Sequence, residues 1–501
     1  MPSLWLSLLP VIFLISGLLS VVWVAGEDAT AGPSQVVLIL SGFFAALLSL
    51  GHGFYRSRSE RSQSVGAGSS ISHPHPFSLN DGWKKLESSV LSTITEVLPA
   101  ILILLLIGAL IGVWILSGIV PALIVWGIAL LNPAIFFFTA CLLAALVSLV
   151  TGSSWSTAGT VGVALVGVGQ ALGLDPAMTA GAVVSGAYFG DKMSPFSETT
   201  NLAASMAGVD LFAHIRNMIF TTAPALLISL IIFLGLGYSG EGTAPGDLRE
   251  TVESLNQVFW IHPALLLVPA VTFFMIYKKV PAIPAILTGT ILGAVFAALF
   301  QQSALFWLKQ EGMVAAILEA ASNGLNFRTD NEAVNSLINR GGMSSMLSTI
   351  WLILSAMFFA GIMEGAGMIQ SIAQSVLSRI KSVGGLVTGT ILGGVFANVV
   401  TSEQYLSIVV NGRFFREAYQ KRNVSALTLS RSLEDSGTLT SALVPWNTCG
   451  AFMAATLQTP VILYAPFAFL NWITPLIALF YAWSGRFLGD GNTKDFEQSD
   501  T

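Results

Sequence analysis

Charge is scarce in this 501-residue sequence: Asp, Glu, Lys and Arg make up 10% of it, where a soluble domain carries about 25%. An ordinary cytosolic globule is excluded. The 22 Lys and Arg against 27 Asp and Glu leave a formal charge of −5, so there is no basic excess for a polyanion and nucleic acid is not an expected partner. Only 2 cysteines occur, Cys141 and Cys449, each in an apolar stretch. Neither a disulfide framework nor a cysteine-based metal site is indicated, and the redox compartment stays undetermined. What the chain has in abundance is apolar surface, 54% hydrophobic residues beside 48 glycines.

A membrane helix needs about 20 apolar residues to cross roughly 30 Å of hydrocarbon. Residues 4–25, 36–50, 97–116, 132–150, 219–236, 259–276, 283–300, 346–363, 386–400 and 460–481 predict such spans. Four further apolar runs, 177–190, 194–206, 427–434 and 437–457, are short or interrupted. Residues 4–25 lack the basic start and cleavage site of a signal peptide, so they read as a retained helix. Arg56, Arg58, Arg61, Lys84 and Lys85 place loop 52–87, and with it the N-terminus, in the cytoplasm by the positive-inside tendency. Its Ser-, Gly- and His-rich centre, 62–78, reads as a flexible linker in which His73 and His75 carry no expected role. The acidic stretch 239–257 is expected outside, Lys278 and Lys279 inside, and the mixed stretch 310–340 outside. The domains expected are an N-terminal two-helix region with its linker (1–90), a first repeat (91–238), connecting helices and loops (239–345), a second repeat (346–484) and a polar tail (485–501).

The repeat is read from Val150, Thr151, Trp155, Pro195 and Phe196, which match Val400, Thr401, Tyr405, Pro445 and Trp446 at a constant offset of 250. Charge runs oppositely in the two copies. Arg413, Arg416, Lys421 and Arg422 fall on uncharged 163–172, whereas Asp210, His214 and Arg216 fall on uncharged 460–466. Because Lys and Arg prefer the cytoplasm, corresponding loops are expected on opposite faces, the pattern of an inverted-topology repeat. Such repeats place substrate and ion sites near the midplane, where discontinuous helices meet.

Each copy carries polar breaks. In the first, Thr151-Gly152-Ser153-Ser154-Trp155-Ser156-Thr157-Ala158-Gly159-Thr160 holds six hydroxyls in ten residues. Irregular backbone at membrane depth persists only where protein or water satisfies it. A helix C-terminus there aims carbonyl oxygens at a cation, and hydroxyls such as those of Ser153 and Ser154 complete a hard-ion shell; close helix packing through small residues is the competing reading. The second break, Gly190-Asp191-Lys192-Met193-Ser194-Pro195-Phe196-Ser197-Glu198-Thr199-Thr200-Asn201, brings ionisable groups into an apolar setting, where they are functional by default. Asp191 and Glu198, both expected to be secluded from water, are candidates to hold a cation and a proton alternately, because burial disfavours a charged carboxylate. Ser194, Thr199, Thr200 and Asn201 supply further oxygens, and Lys192 is a candidate to neutralise Asp191 when no cation is bound. In the second copy the candidates are Glu403, Glu434, Asp435 and Asn447, with one of Glu434 and Asp435 facing the site, since adjacent helical residues point about 100° apart. Arg431 is a candidate partner for Glu403. Glu96 reads as interfacial, Glu364 as either interfacial or on a proton path, and His214 as a cytoplasmic pH-responsive group. Gly108 and Gly112 form a close-contact motif that permits a homodimer.

At these residues the sequence resembles the NhaC-type sodium/proton antiporter family of the ion-transporter superfamily. The resemblance rests on residues 151–162, 186–203 and 210–216, extends through 111–132 and more loosely through 400–457, and covers most of the chain after about residue 95. It implies an all-α polytopic membrane protein with two inverted-topology repeats, each with a re-entrant hairpin and a discontinuous helix. It implies exchange of Na+ for H+ at Asp191, Glu198 and Asn201, with no cofactor and no catalytic residues, in the cell's inner membrane with the lipid bilayer as surroundings. Asp is usual in the family where this chain has Glu198, a longer reach that leaves ion size preference open. The family also resembles exchangers of malate with lactate, so a Na+- or H+-coupled organic-acid exchanger is the alternative. An intramembrane protease fails on its signatures, because Tyr188 stands where the aspartyl form wants Gly and Trp155 where the serine form does. A passive channel also uses hydroxyls and carboxylates, and a repeat of opposite orientation favours a carrier.

Overall fold

The computed structural model describes residues 2–25, 32–66, 78–239, 245–278, 280–310 and 312–488. His73 and His75 lie outside the described residues, as does most of the expected linker. The protein is an all-α polytopic membrane protein. Among the described residues eight helices are long and apolar enough to cross a membrane, or up to ten if each sharply bent pair counts as one span.

The chain opens with α1 (Leu4–Ala25) and α2 (Pro33–Gly66), followed by the 38-residue α3 (Leu79–Leu116). Both α2 and α3 run far past the apolar stretches that predicted them, because Arg, Lys and Glu have nearly the helix propensity of Leu. Glu96 lies within α3. Gly108 and Gly112 do pack closely, but within the chain. A Cβ at Gly108 would lie 2.6 Å from the Gly342 carbonyl oxygen, and one at Gly112 1.9 Å from that of Ala320.

After α4 (Ile119–Leu130) comes a first unit of helices. It consists of α5 (Phe136–Thr151), α6 (Ser154–Thr157), a π-helical turn (Ala158–Gly162), α7 (Val163–Ala171), α8 (Pro176–Met193), α9 (Glu198–Ala207) and α10 (Leu211–Ser239). The middle of the chain holds α11 (Pro245–Val258), α12 (Leu267–Tyr277), α13 (Ala282–Phe300), α14 (Ala304–Leu308), α15 (Met313–Ser322) and α16 (Glu332–Ile338). The stretch expected as an acidic outer loop is thus largely α11, bent by 84° against the helix that follows. Next come α17 (Leu347–Gly365) and α18 (Met368–Arg379). The second unit is α19 (Val383–Val400), α20 (Gln404–Lys421), α21 (Ala426–Leu433), a π-helical turn (Glu434–Thr438), α22 (Leu439–Ser441), α23 (Thr448–Leu457), α24 (Val461–Tyr464) and α25 (Phe469–Ser484). The single span expected over 460–481 is instead broken between α24 and α25 by a 3-10 turn (Ala465–Phe467) that contains Pro466, and a sharp bend precedes it. Gln458 is left-handed at φ 52° and Pro460 removes an amide, so α23 and the segment after it meet at 90°.

Helix ends recur at the offset of 250 read from sequence. Ser153 and Glu403 cap α6 and α20, Asp175 and Ser425 cap α8 and α21, and Ser197 and Asn447 cap α9 and α23. Left-handed residues recur with them: Gly152 and Ser402, Gly173 and Asn423, Gly208 and Gln458. Since caps and left-handed turns are where a chain changes direction, the two units bend at equivalent residues.

Candidate functional site

The first break is possible because α5 ends on Gly152. Its φ of 71° suits glycine, and a Cβ there would stand 2.7 Å from the carbonyl carbon of Phe196 in the second break. The two breaks of the first unit therefore press together. Their counterparts in the second unit also touch, with the Thr448 amide donating to the Ser402 carbonyl at 2.9 Å.

Between them opens a cavity of about 660 Å³ whose walls include Thr151, Ser153, Trp155, Ser156, Asp191, Phe196, Glu198, Asn201, Glu403, Gln404, Tyr405, Thr448 and, from α3, Glu96. Among the described residues four carboxylates line it, and no Lys, Arg or His does. Asp191 is 5% exposed and Glu403 7%. Glu198 and Glu96 are exposed, which corrects the expectation of a secluded Glu198. It is the first residue of α9, so it stands at the mouth, where the Tyr405 hydroxyl donates to its Oε2 at 2.7 Å.

Asp191 is held from both sides. Ser154 donates to Oδ2 at 2.5 Å and Ser197 to Oδ1 at 2.7 Å. These donors come from the first turns of α6 and α9, so the carboxylate faces helix N-termini, whose amides favour negative charge. Glu403 does the same within its own element, its Oε2 accepting from the Leu406 amide at 2.9 Å. Arg431 is not its partner, for it donates to the Phe487 carbonyl at 2.9 Å instead.

Several expected ligands stand behind the wall as carpentry. Thr200 donates to the carbonyls of Asp191 (3.1 Å) and Lys192 (2.9 Å), tying the frayed end of α8 to α9. Asn201 lines the cavity, but its amide nitrogen donates to the carbonyls of Pro195 and Ser197. Thr199 shares a hydrogen bond with Ser197, Ser194 accepts from the Phe196 amide, and Asn447 accepts from Cys449 while donating to Asn398. Ser153 lines the cavity and accepts from the Ser156 amide.

Glu434 and Asp435 are fully buried and do not line the cavity. Lys192, expected to neutralise Asp191, pairs with Asp435 across the two units. The reason is direction: α8 is still helical at Lys192, so its side chain leaves the helix on a different face from that of Asp191. His214, expected in the cytoplasm, is buried with Nδ1 2.8 Å from the Ser430 hydroxyl. Sequence reading overlooked Ser197 and Tyr405 as donors to the site and did not bring Glu96 to the cavity. Ser197 had a visible signal, a Ser three residues before Thr200 at a helix start; Tyr405 had one in its match to Trp155. Among the described residues no three His, Cys, Asp or Glu side chains gather as a resident metal site.

Comparison with known proteins gives a consistent picture. Residues 186–486 match the model of the Na+/H+ antiporter family. The chain is 40% identical over 411 residues to the Na+/H+ antiporter NhaC of Alkalihalophilus pseudofirmus, covering 82% of this chain and 87% of the relative. To NhaC of Bacillus subtilis it is 39% identical over 399 residues, 79% and 86%. To the malate-2H+/Na+-lactate antiporter of Bacillus subtilis it is 33% identical over 459 residues, 91% and 90%.

Proposed function

This chain belongs to the Na+/H+ antiporter family, and on that premise we propose that it exchanges Na+ for H+ across the membrane by alternating access. The observation that carries the reading is the cavity wall, with four carboxylates and, among the described residues, no Lys, Arg or His. Such a wall attracts a small cation. It repels an organic anion, whose carboxylate calls for a buried Arg or Lys.

Na+ is a hard ion that takes oxygen ligands, and the Asp191 carboxylate with the hydroxyls of Ser153, Ser154 and Ser197 offers them. Glu198, Asn201 and Glu403 line the same cavity and add negative charge and further oxygens along the way to Asp191. Either a cation or a proton neutralises Asp191, so each occupant displaces the other and each change of conformation carries one of the two. The cycle needs no cofactor and no covalent step, which makes the protein a carrier rather than an enzyme. We place it in the inner membrane with a cytoplasmic N-terminus, from the basic residues after the second apolar run, and with its two repeats threaded in opposite directions.

The test is a proteoliposome assay that follows luminal pH as Na+, Li+, K+ and malate are added in turn. Na+ is expected to move protons without malate or lactate. A pH change that requires an organic acid instead assigns the protein to the malate and lactate type of exchange.

A further inference from the structure

The cavity is much larger than a single Na+ requires. Its volume of about 660 Å³ lies in the range of small-molecule sites, about 300–1,000 Å³. Its lining is also divided by chemistry. The breaks supply carboxylates and hydroxyls, whereas the rest is largely apolar. From α3 come Ala100, Ile103 and Ile107, which follow Glu96 at helical spacing along one face, and Ile276 of α12 and Ile286 of α13 join them. Trp155 adds an indole ring that is held in place by stacking on Phe452, 4.0 Å between ring centres.

Isoleucine side chains do nothing for Na+, an ion that takes oxygen ligands. They do hold the apolar body of a larger ligand. The charge on such a ligand is positive, because the lining carries four carboxylates and, among the described residues, no Lys, Arg or His. Its charged end also donates hydrogen bonds, because the polar side of the lining offers acceptors. Each Asp191 oxygen accepts from one serine and has a lone pair to spare. Thr448, 2% exposed, lines the cavity with a hydroxyl that has no hydrogen-bond partner among the described residues. A guanidinium group meets these terms, since it is a planar fork of N–H donors that pairs with carboxylates and stacks on aromatic faces.

We propose that the cavity takes a second class of ligand, an organic monocation with a guanidinium head and a short apolar body, bound at Asp191 in place of Na+. The head meets the acidic side of the lining, and the body lies against Ile103, Ile107, Ile276 and Ile286. The inference goes beyond Na+/H+ exchange and rests on that reading for the identity of the competing ion. A ligand that carries a carboxylate as well is disfavoured by the same acidic side.

The test compares butylguanidinium, bare guanidinium and uncharged pentanamide as inhibitors of Na+-driven proton movement by the full-length protein in vesicles. Guanidinium keeps its charge at neutral pH, so it does not itself carry protons across the bilayer. Butylguanidinium is expected to raise the apparent KM for Na+ without lowering the maximal rate, and to act at about tenfold or more lower concentration than bare guanidinium, because its chain is buried. Pentanamide is expected to do nothing. Ile103→Asn should shrink the advantage of the butyl chain, and the comparison of the three compounds on the wild type stands if that variant does not fold. Four results overturn the proposal: no inhibition by butylguanidinium, inhibition through maximal rate at constant KM, equal potency of bare guanidinium, or equal potency of pentanamide. Failure of the parent reading looks different, since the wild type then moves no protons on Na+ addition. Calorimetric titration of butylguanidinium into the purified protein decides the site in that case, with binding expected in the wild type and lost in Asp191→Asn, and binding absent from the wild type or unchanged in Asp191→Asn refutes it.

Discussion

Asp191 is the side chain on which the cation and the proton compete in this reading, and its two hydroxyl partners are its supports. Asp191→Asn keeps the size and can still accept from one serine, so folding should survive, as judged by an unchanged elution profile in detergent. Na+-driven proton movement should vanish, and full exchange by the variant takes Asp191 out of the site. At the cavity mouth, Tyr405 fixes Glu198 through one hydrogen bond to a carboxylate. Such bonds are worth about 1.5–3 kcal/mol. Tyr405→Phe should therefore raise the apparent KM for Na+ by about tenfold or more, with a smaller change in maximal rate. A fall in maximal rate at constant KM assigns Tyr405 to the conformational step instead.

At the scale of elements, α5 and α8 form the frame on which Asp191 is mounted. Their backbones touch through glycines. A Cβ at Gly186 would come within 2.1 Å of the Cys141 carbonyl oxygen, and one at Gly190 within 2.1 Å of the Leu149 amide nitrogen. Because the obstruction is backbone, rotamers offer no relief, and overpacking of this kind costs about 1–3 kcal/mol or more. Gly190→Ala should lower the thermal unfolding midpoint in detergent. Gly235→Ala on α10, where nothing lies within 4 Å of the added Cβ, should leave the midpoint the same or raise it. Equal midpoints for the two variants mean that α5 and α8 are not in the close contact described.

For the whole molecule, the decisive relation is between the two units that bend at equivalent residues 250 apart. If they are threaded oppositely, the turn before α8 and the turn after α20 lie on opposite sides of the membrane. Both native cysteines are buried, so single-cysteine labelling is feasible. Asp175→Cys and Lys421→Cys are exposed positions near those turns. An impermeant maleimide should reach Lys421→Cys from the cytoplasmic side and Asp175→Cys from the other. Labelling of both from one side removes the opposed orientation.

Sequence alone determined the class, because scarce charge and runs of about 20 apolar residues leave few structures other than membrane helices. It also located the breaks at Gly152 and Asp191–Ser197, since glycine, proline and clustered hydroxyls interrupt a helix by local chemistry that needs no partner. It could not decide partnerships. Whether Lys192 meets Asp191 or Asp435 depends on which helix face packs against the other unit, and Glu96 became part of the cavity only because α3 extends and leans on the breaks. Adjacency along the chain is written in the sequence. Adjacency across the membrane interior, which sets which charges pair and which carboxylates see water, is fixed only when the helices pack.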